Sequence, residues 1–160
     1  MSERIYTTEM PAVRGKKIVG GVKSGNITLL EHWAVKGKLH DGRVFVITIE
    51  PGFEFDGASI PRFLWRLCGH PQECPRLAAA LAHDWLYRAH VCSRKDADLI
   101  YRAICRQVGL AAFPVAVEYK ILDWFGRKAW KSWTADNQYA ARKIGRLRWW
   151  YTSTRKGENP

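Results

Sequence analysis

Two antiparallel helices are spelled out between Pro75 and Gly109. Pro75 stands where a first-turn proline is tolerated, and the RLAAALAHDWLYRA that follows, residues 76–89, is built of strong helix formers. Ser93-Arg94-Lys95-Asp96 has the form of a capping box, and Ala97, Ile100, Tyr101, Ile104 and Val108 then repeat at helical spacing until Gly109 stops them. The link from Ala89 to Cys92 is short, so the second helix must turn back along the first. A third helix is predicted from about Pro114 to Trp130, where Val117, Ile121, Leu122, Trp124, Phe125 and Trp130 make a broad apolar face.

The residues before this hairpin read as strands. KIVGGV, NITLLEHWAVKGKL and RVFVITIE lie between Lys16 and Glu50, and HDGR at 40–43 carries the Asp-Gly signal of a tight turn. PGFEFDGASIP, residues 51–61, has two glycines and two prolines and reads as a shaped loop. The expected fold class is therefore α+β: a small N-terminal antiparallel sheet (16–50), a shaped loop (51–74), then a bundle of three or four helices with its core at 75–133. The chain, 160 residues long and 47% apolar with 20 aromatic rings, suits one domain, 1–160.

From Asn137 the sequence becomes a basic aromatic tail, 137–160. Arg142, Lys143, Arg146 and Arg148 interleave with Trp149 and Trp150, and a short basic helix is expected. With a net charge of +11, the protein calls for an anionic partner: a phospholipid surface, nucleic acid or an acidic protein. These six residues are the candidate contacts. Gripping phosphates and bases and lying on an anionic bilayer fit the tail equally well, and no recognisable nucleic-acid motif supports the first. A terminal helix that packs Trp149 and Trp150 on the core while its charges face water accounts for it as well as those two together. No run of about 18 apolar residues provides a transmembrane segment. Neither a signal peptide nor a disulfide pattern is legible, so synthesis in a reducing cytosol with free thiols is expected. The oligomeric state is left open.

The chemistry concentrates in AHDWLYRAHVCSRKDAD, residues 82–98. His83 and Tyr87 are four apart and share one helix face, while Asp84 is rotated by about 100°. Asp98, one turn inside the returning helix, can approach His83 and Tyr87. A carboxylate on one imidazole nitrogen fixes the tautomer and steadies the imidazolium, leaving the other nitrogen to take a proton from water. Asp84 is left for a cation, and Asp56 in the glycine-containing loop can share it, since hard cations take carboxylate and carbonyl oxygens. The competing reading makes His83, Tyr87 and Asp98 a satisfied polar cluster that pins the two helices. CGHPQEC puts Cys68, His70 and Cys74 together, with His90 or Cys92 to complete a zinc set, but the spacing is not that of a zinc knuckle and small buried cysteines account for it better.

PGFEFDGASIPRFLW, AHDWLY and SRKDAD, in that order, closely resemble the phage and prophage family called domain of unknown function 1353, over roughly residues 44–126. The resemblance implies a protein of tailed phages or prophages, made in the host bacterial cytoplasm and either carried in the virion or accessory to it, where it meets a phage protein. A second, local resemblance covers residues 82–98. HDWLY followed by AD is similar to the His-Asp-x-x-Tyr and Ala-Asp pattern of phospholipase A2, especially the form found in parvovirus capsids. It implies His83 as the base that activates water, Asp98 as its partner, Tyr87 as a support for Asp98, Asp84 as a calcium ligand and phospholipid esters as substrate. The family's glycine-rich calcium loop has only GFEFDGAS as a stand-in, and its disulfides have no counterpart here. The alternative function is a non-catalytic phage binding module with a structural His/Asp cluster.

Overall fold

A computed structural model describes residues 13–14, 27–55 and 74–151. Six strands and four helices are found among them: β1 (Val13–Arg14), β2 (Ile27–Leu29), β3 (Trp33–Lys38), β4 (Arg43–Ile49), β5 (Glu54–Phe55), α1 (Cys74–Ala89), α2 (Arg94–Gln107), α3 (Ala112–Lys131), α4 (Ala135–Lys143) and β6 (Gly145–Tyr151). The strands form two antiparallel three-stranded sheets, ordered β1-β2-β5 and β3-β4-β6. The fold is α+β, with the sheets N-terminal except for β6.

The Asp-Gly turn joins β3 to β4. Gly42 takes the left-handed conformation, φ 88°, and Asp41 Oδ1 accepts the Arg43 backbone N–H at 3.1 Å, so the turn supplies its own donor and acceptor. In β4 the residues alternate between two covered faces. Phe45, Ile47 and Ile49 point into the core with Trp33, Val35 and Phe55, whereas Val44 and Val46 lie on the opposite face beneath the neighbouring strands' side chains.

The helical hairpin forms as the sequence predicts. His90, in a left-handed conformation at φ 49°, ends α1, and the Ser93 hydroxyl opens α2 by accepting the Asp96 N–H while donating to the Asp96 carboxylate. Asp96 also receives Arg43 at 2.7 Å, which ties the start of α2 to the β3–β4 hairpin. Burial works against the Asp96 carboxylate, but the Arg43 and Ser93 hydrogen bonds outweigh it and hold its pKa below the usual value.

The tail is where the expectation needs correcting. Thr134 caps a short helix, α4, whose basic last turn carries Arg142 and Lys143, but Arg146, Arg148, Trp149 and Trp150 belong to a strand. β6 pairs with β4 over seven residues, from Ile49↔Gly145 to Arg43↔Tyr151. Its alternation sends Leu147 and Trp149 inward, where Trp149 meets Phe45 edge-on at 6.2 Å, and Arg146, Arg148 and Trp150 outward. The shaped loop is shorter than expected at its start, because Glu54–Phe55 is a strand, and residues 56–73 lie outside the described ones.

Candidate functional site

α1 and α2 bring His83, Tyr87 and Asp98 together as their spacing predicts. His83 Nε2 is 2.9 Å from Asp98 Oδ1, and the Tyr87 hydroxyl donates to the same oxygen at 2.7 Å. Asp98 is 1% exposed and His83 7%. The two rings on α1 lie 4.1 Å apart, and Tyr101 closes over His83 edge-on at 5.4 Å. With the Nε2–H donating to the carboxylate, Nδ1 carries the lone pair, and it makes no hydrogen bond with any described residue. Burial, then the Asp98 hydrogen bond, push the Tyr87 phenol far above its ordinary pKa, so it stays a donor.

The sequence reading missed Arg94. Its Nη1 donates to Asp98 Oδ2 at 2.8 Å and to the Leu122 carbonyl at 3.3 Å, while Nη2 reaches Asp123 at 2.8 Å. One guanidinium thus neutralises the buried carboxylate and clamps α3 to the pair. The i,i+4 spacing of Arg94 and Asp98 was a readable signal. Also missed was a second buried cluster next to the first. Glu118 of α3 takes Arg76 Nε at 2.9 Å and Nη2 at 2.8 Å on one oxygen, and the Tyr101 hydroxyl at 2.7 Å on the other. Tyr101 therefore touches both clusters.

α3 can come this close because Gly126 has no side chain. A Cβ there would strike the Tyr87 hydroxyl and lie 3.5 Å from Arg94 Nη1. Gly126→Ala is expected to cost about 1–3 kcal/mol, the usual range for overpacking, and to loosen the Tyr87–Asp98 bond. Adding Tyr87→Phe removes the atom in conflict, so the double variant should lose less than the sum of the single changes. Thermal melts of the three variants check this, and strict additivity would contradict it.

The remaining expected site residues lie elsewhere. Asp84 is half-buried on α1 and already engaged in an interaction of its own, and Asp56 lies outside the described residues. Among the described residues no three His, Cys, Asp or Glu side chains converge on a metal position. Of the zinc set, Cys68 and His70 lie outside the described residues, as does the Cys74 side chain. Of the two described members, His90 stacks on Trp130 at 3.9 Å and bonds its carbonyl, and burial pushes the Cys92 thiol up to about 12.

The six tail residues divide. Arg142 Nε donates to the Ala89 carbonyl at 2.7 Å and so buttresses the end of α1, and Trp149 packs inward. Lys143, which lies over the Tyr139 ring, Arg146, Arg148 and Trp150 remain at the surface.

No curated protein and no solved structure matches the chain. Residues 27–122, which hold β2 to β5 and the buried residues of both clusters, match the family described as "Protein of unknown function (DUF1353)". The chain belongs to that family.

Proposed function

We propose that this is a phage or prophage hydrolase of phospholipid esters in which His83 is the general base. The observation that carries the reading is the orientation of the imidazole: Nε2 is held by Asp98, and Nδ1 is left without a partner among the described residues. In the step this allows, Nδ1 takes a proton from water as the oxygen attacks the ester carbonyl, and the imidazolium returns the proton to the leaving alkoxide. Asp98 steadies the imidazolium and fixes the ring, and Tyr87 and Arg94 hold Asp98 in place.

A second reading, a structural cluster in a non-catalytic phage binding module, is favoured by Arg94. It already balances the Asp98 charge, which leaves less negative potential for an imidazolium. His83→Gln and Asp98→Asn separate the two. Under the hydrolase reading, His83→Gln abolishes phospholipid hydrolysis with little change in stability, because Gln keeps a hydrogen-bonding reach but takes no proton near neutral pH. Asp98→Asn lowers the activity. Under the structural reading, both variants lose about 1–3 kcal/mol and there is no activity to lose. Lipid hydrolysis with and without calcium, beside thermal melts, decides between them. Absence of wild-type turnover together with large melting shifts would end the hydrolase reading.

A further inference from the structure

The outward face of β3-β4-β6 collects positive charge. Strand register places Lys36 and Arg148 on either side of Val46, and Lys38 and Trp150 on either side of Val44. Both valines are 4% exposed, so they form a closed aliphatic floor between two rows of long side chains. Along β6, Arg146 and Arg148 stand about 7 Å apart, two strand residues at roughly 3.4 Å each. Neither arginine makes a hydrogen bond or ion pair with a described residue.

Hollows lie at the two ends of these strands, one on the outward face and one where β3 meets α2. At one, Arg146, Arg148 and Lys143 surround a concave pocket of about 250 Å³ floored by Val46 and Thr48. Glu50 is the one acid among its described lining residues, and His32 holds it at 3.2 Å. At the other end, between β3 and α2, Lys38, Arg102 and Arg106 line a larger hollow of about 570 Å³ with Leu39, Leu99 and Ala103, and no acid lines it among the described residues. Lys38 belongs to that hollow and stands two residues from Lys36, whose ammonium lies 5.6 Å from the Trp150 ring centre.

We infer that this face binds single-stranded nucleic acid: the outward side of β3-β4-β6, with Lys36 and Lys38 bridging the basic hollows at Arg146/Arg148 and Arg102/Arg106. A bilayer is flat and is met by protruding apolar side chains, whereas basic hollows at the two ends of these strands, with Lys36 and Lys38 between them, suit an extended strand of phosphates. A single inorganic phosphate would need only one of the hollows. Trp150, 39% exposed in the row of Val44 and Lys38, adds an aromatic surface against which a base can stack. Charge at this spacing grips the backbone without reading sequence, so binding is salt-dependent and tolerant of base composition.

The test is anisotropy of a labelled oligothymidylate of about 12 nucleotides, within the ~4–16 that such surfaces cover. Arg146→Gln with Arg148→Gln should weaken binding by about tenfold or more, and should flatten the log–log salt slope by about 1.4, two contacts at about 0.7 each. Lys128→Gln with Lys131→Gln, exposed on α3, should leave both within error. Equal weakening by the two pairs would mean that only net charge matters, and would overturn the inference. So would binding to phosphatidylglycerol vesicles that depends on Arg146 and Arg148 while oligonucleotide binding does not. Ultraviolet cross-linking of the strand to the unaltered chain gives an answer that needs no variant: label on the β6 peptide supports the assignment, and label confined to α3 overturns it.

Discussion

Glu118→Ala is expected to lower stability by about 3–5 kcal/mol, the cost of leaving a buried charge without its partner. Arg76 is 5% exposed and spends two of its donors on Glu118, so the truncation removes the carboxylate that balances a buried guanidinium. Tyr101 loses its acceptor as well, and Tyr101 packs on His83. For a chain of this length the melting temperature should fall by about 6–20 °C, taking roughly 2–4 °C per kcal/mol. Glu118→Gln keeps the volume and one carbonyl oxygen, so it should cost less, about 1–3 kcal/mol. Replacing the pair together, Arg76→Met with Glu118→Leu, removes both charges and should recover most of the loss, since well-packed apolar residues substitute for buried ion pairs with little penalty. Urea or thermal melts of the three variants measure this. A loss below about 1 kcal/mol for Glu118→Ala would show that the cluster is wetter than its burial implies.

The parts of this architecture that could be read in the sequence are those whose cause is local. Ser93, Asp96 and Gly109 bound α2 because capping and left-handed glycines act within a few residues, and the short link made α1 and α2 antiparallel without knowledge of the rest. His83, Tyr87 and Asp98 meet for the same reason. Glu118 did not stand out because a carboxylate among Val115, Val117, Ile121 and Leu122 announces burial but not its partner, and Arg76 is 42 residues away. For β6 the local signal is mixed. Arg146, Leu147, Arg148, Trp149 and Trp150 alternate at first with period two, yet the high charge and the helical residues just before them suggested continued helix. What makes the segment a strand is the open edge of β4, about 100 residues upstream, and pairing at that separation leaves no local mark.

Ending the chain at Ile144 is therefore expected to unfold the protein rather than only weaken an interaction. β6 is the sole neighbour of β4 on that side among the described residues, and its loss frees the backbone groups of a strand whose Phe45, Ile47 and Ile49 are fully buried. Leu147 and Trp149, partly buried against the core, go with it, and each contributes about 1–2 kcal/mol of apolar burial, less than the ~1.5–3 kcal/mol of a fully buried side chain. Gly145 goes too, and that is the point where the chain passes so close to the Trp85 indole that no side chain fits. Trp85 is completely buried and donates its Nε1–H to the Ala141 carbonyl at 2.9 Å, so α4 is fastened to α1 directly before β6 begins. Without β6 to hold the end of α4, that bond loses its anchor. The combined loss is on the order of 5 kcal/mol or more, comparable to the whole net stability of an ordinary domain. Circular dichroism and tryptophan emission of the truncated chain should show a red-shifted, non-cooperative species. The variant Arg146→Gln with Arg148→Gln, which alters only the outward side of the same strand, should melt within about 1 kcal/mol of the parent. If the truncated chain instead folds and melts like the parent, β6 adds nothing to the core, and Trp149 packs against Phe45 without holding the sheet together.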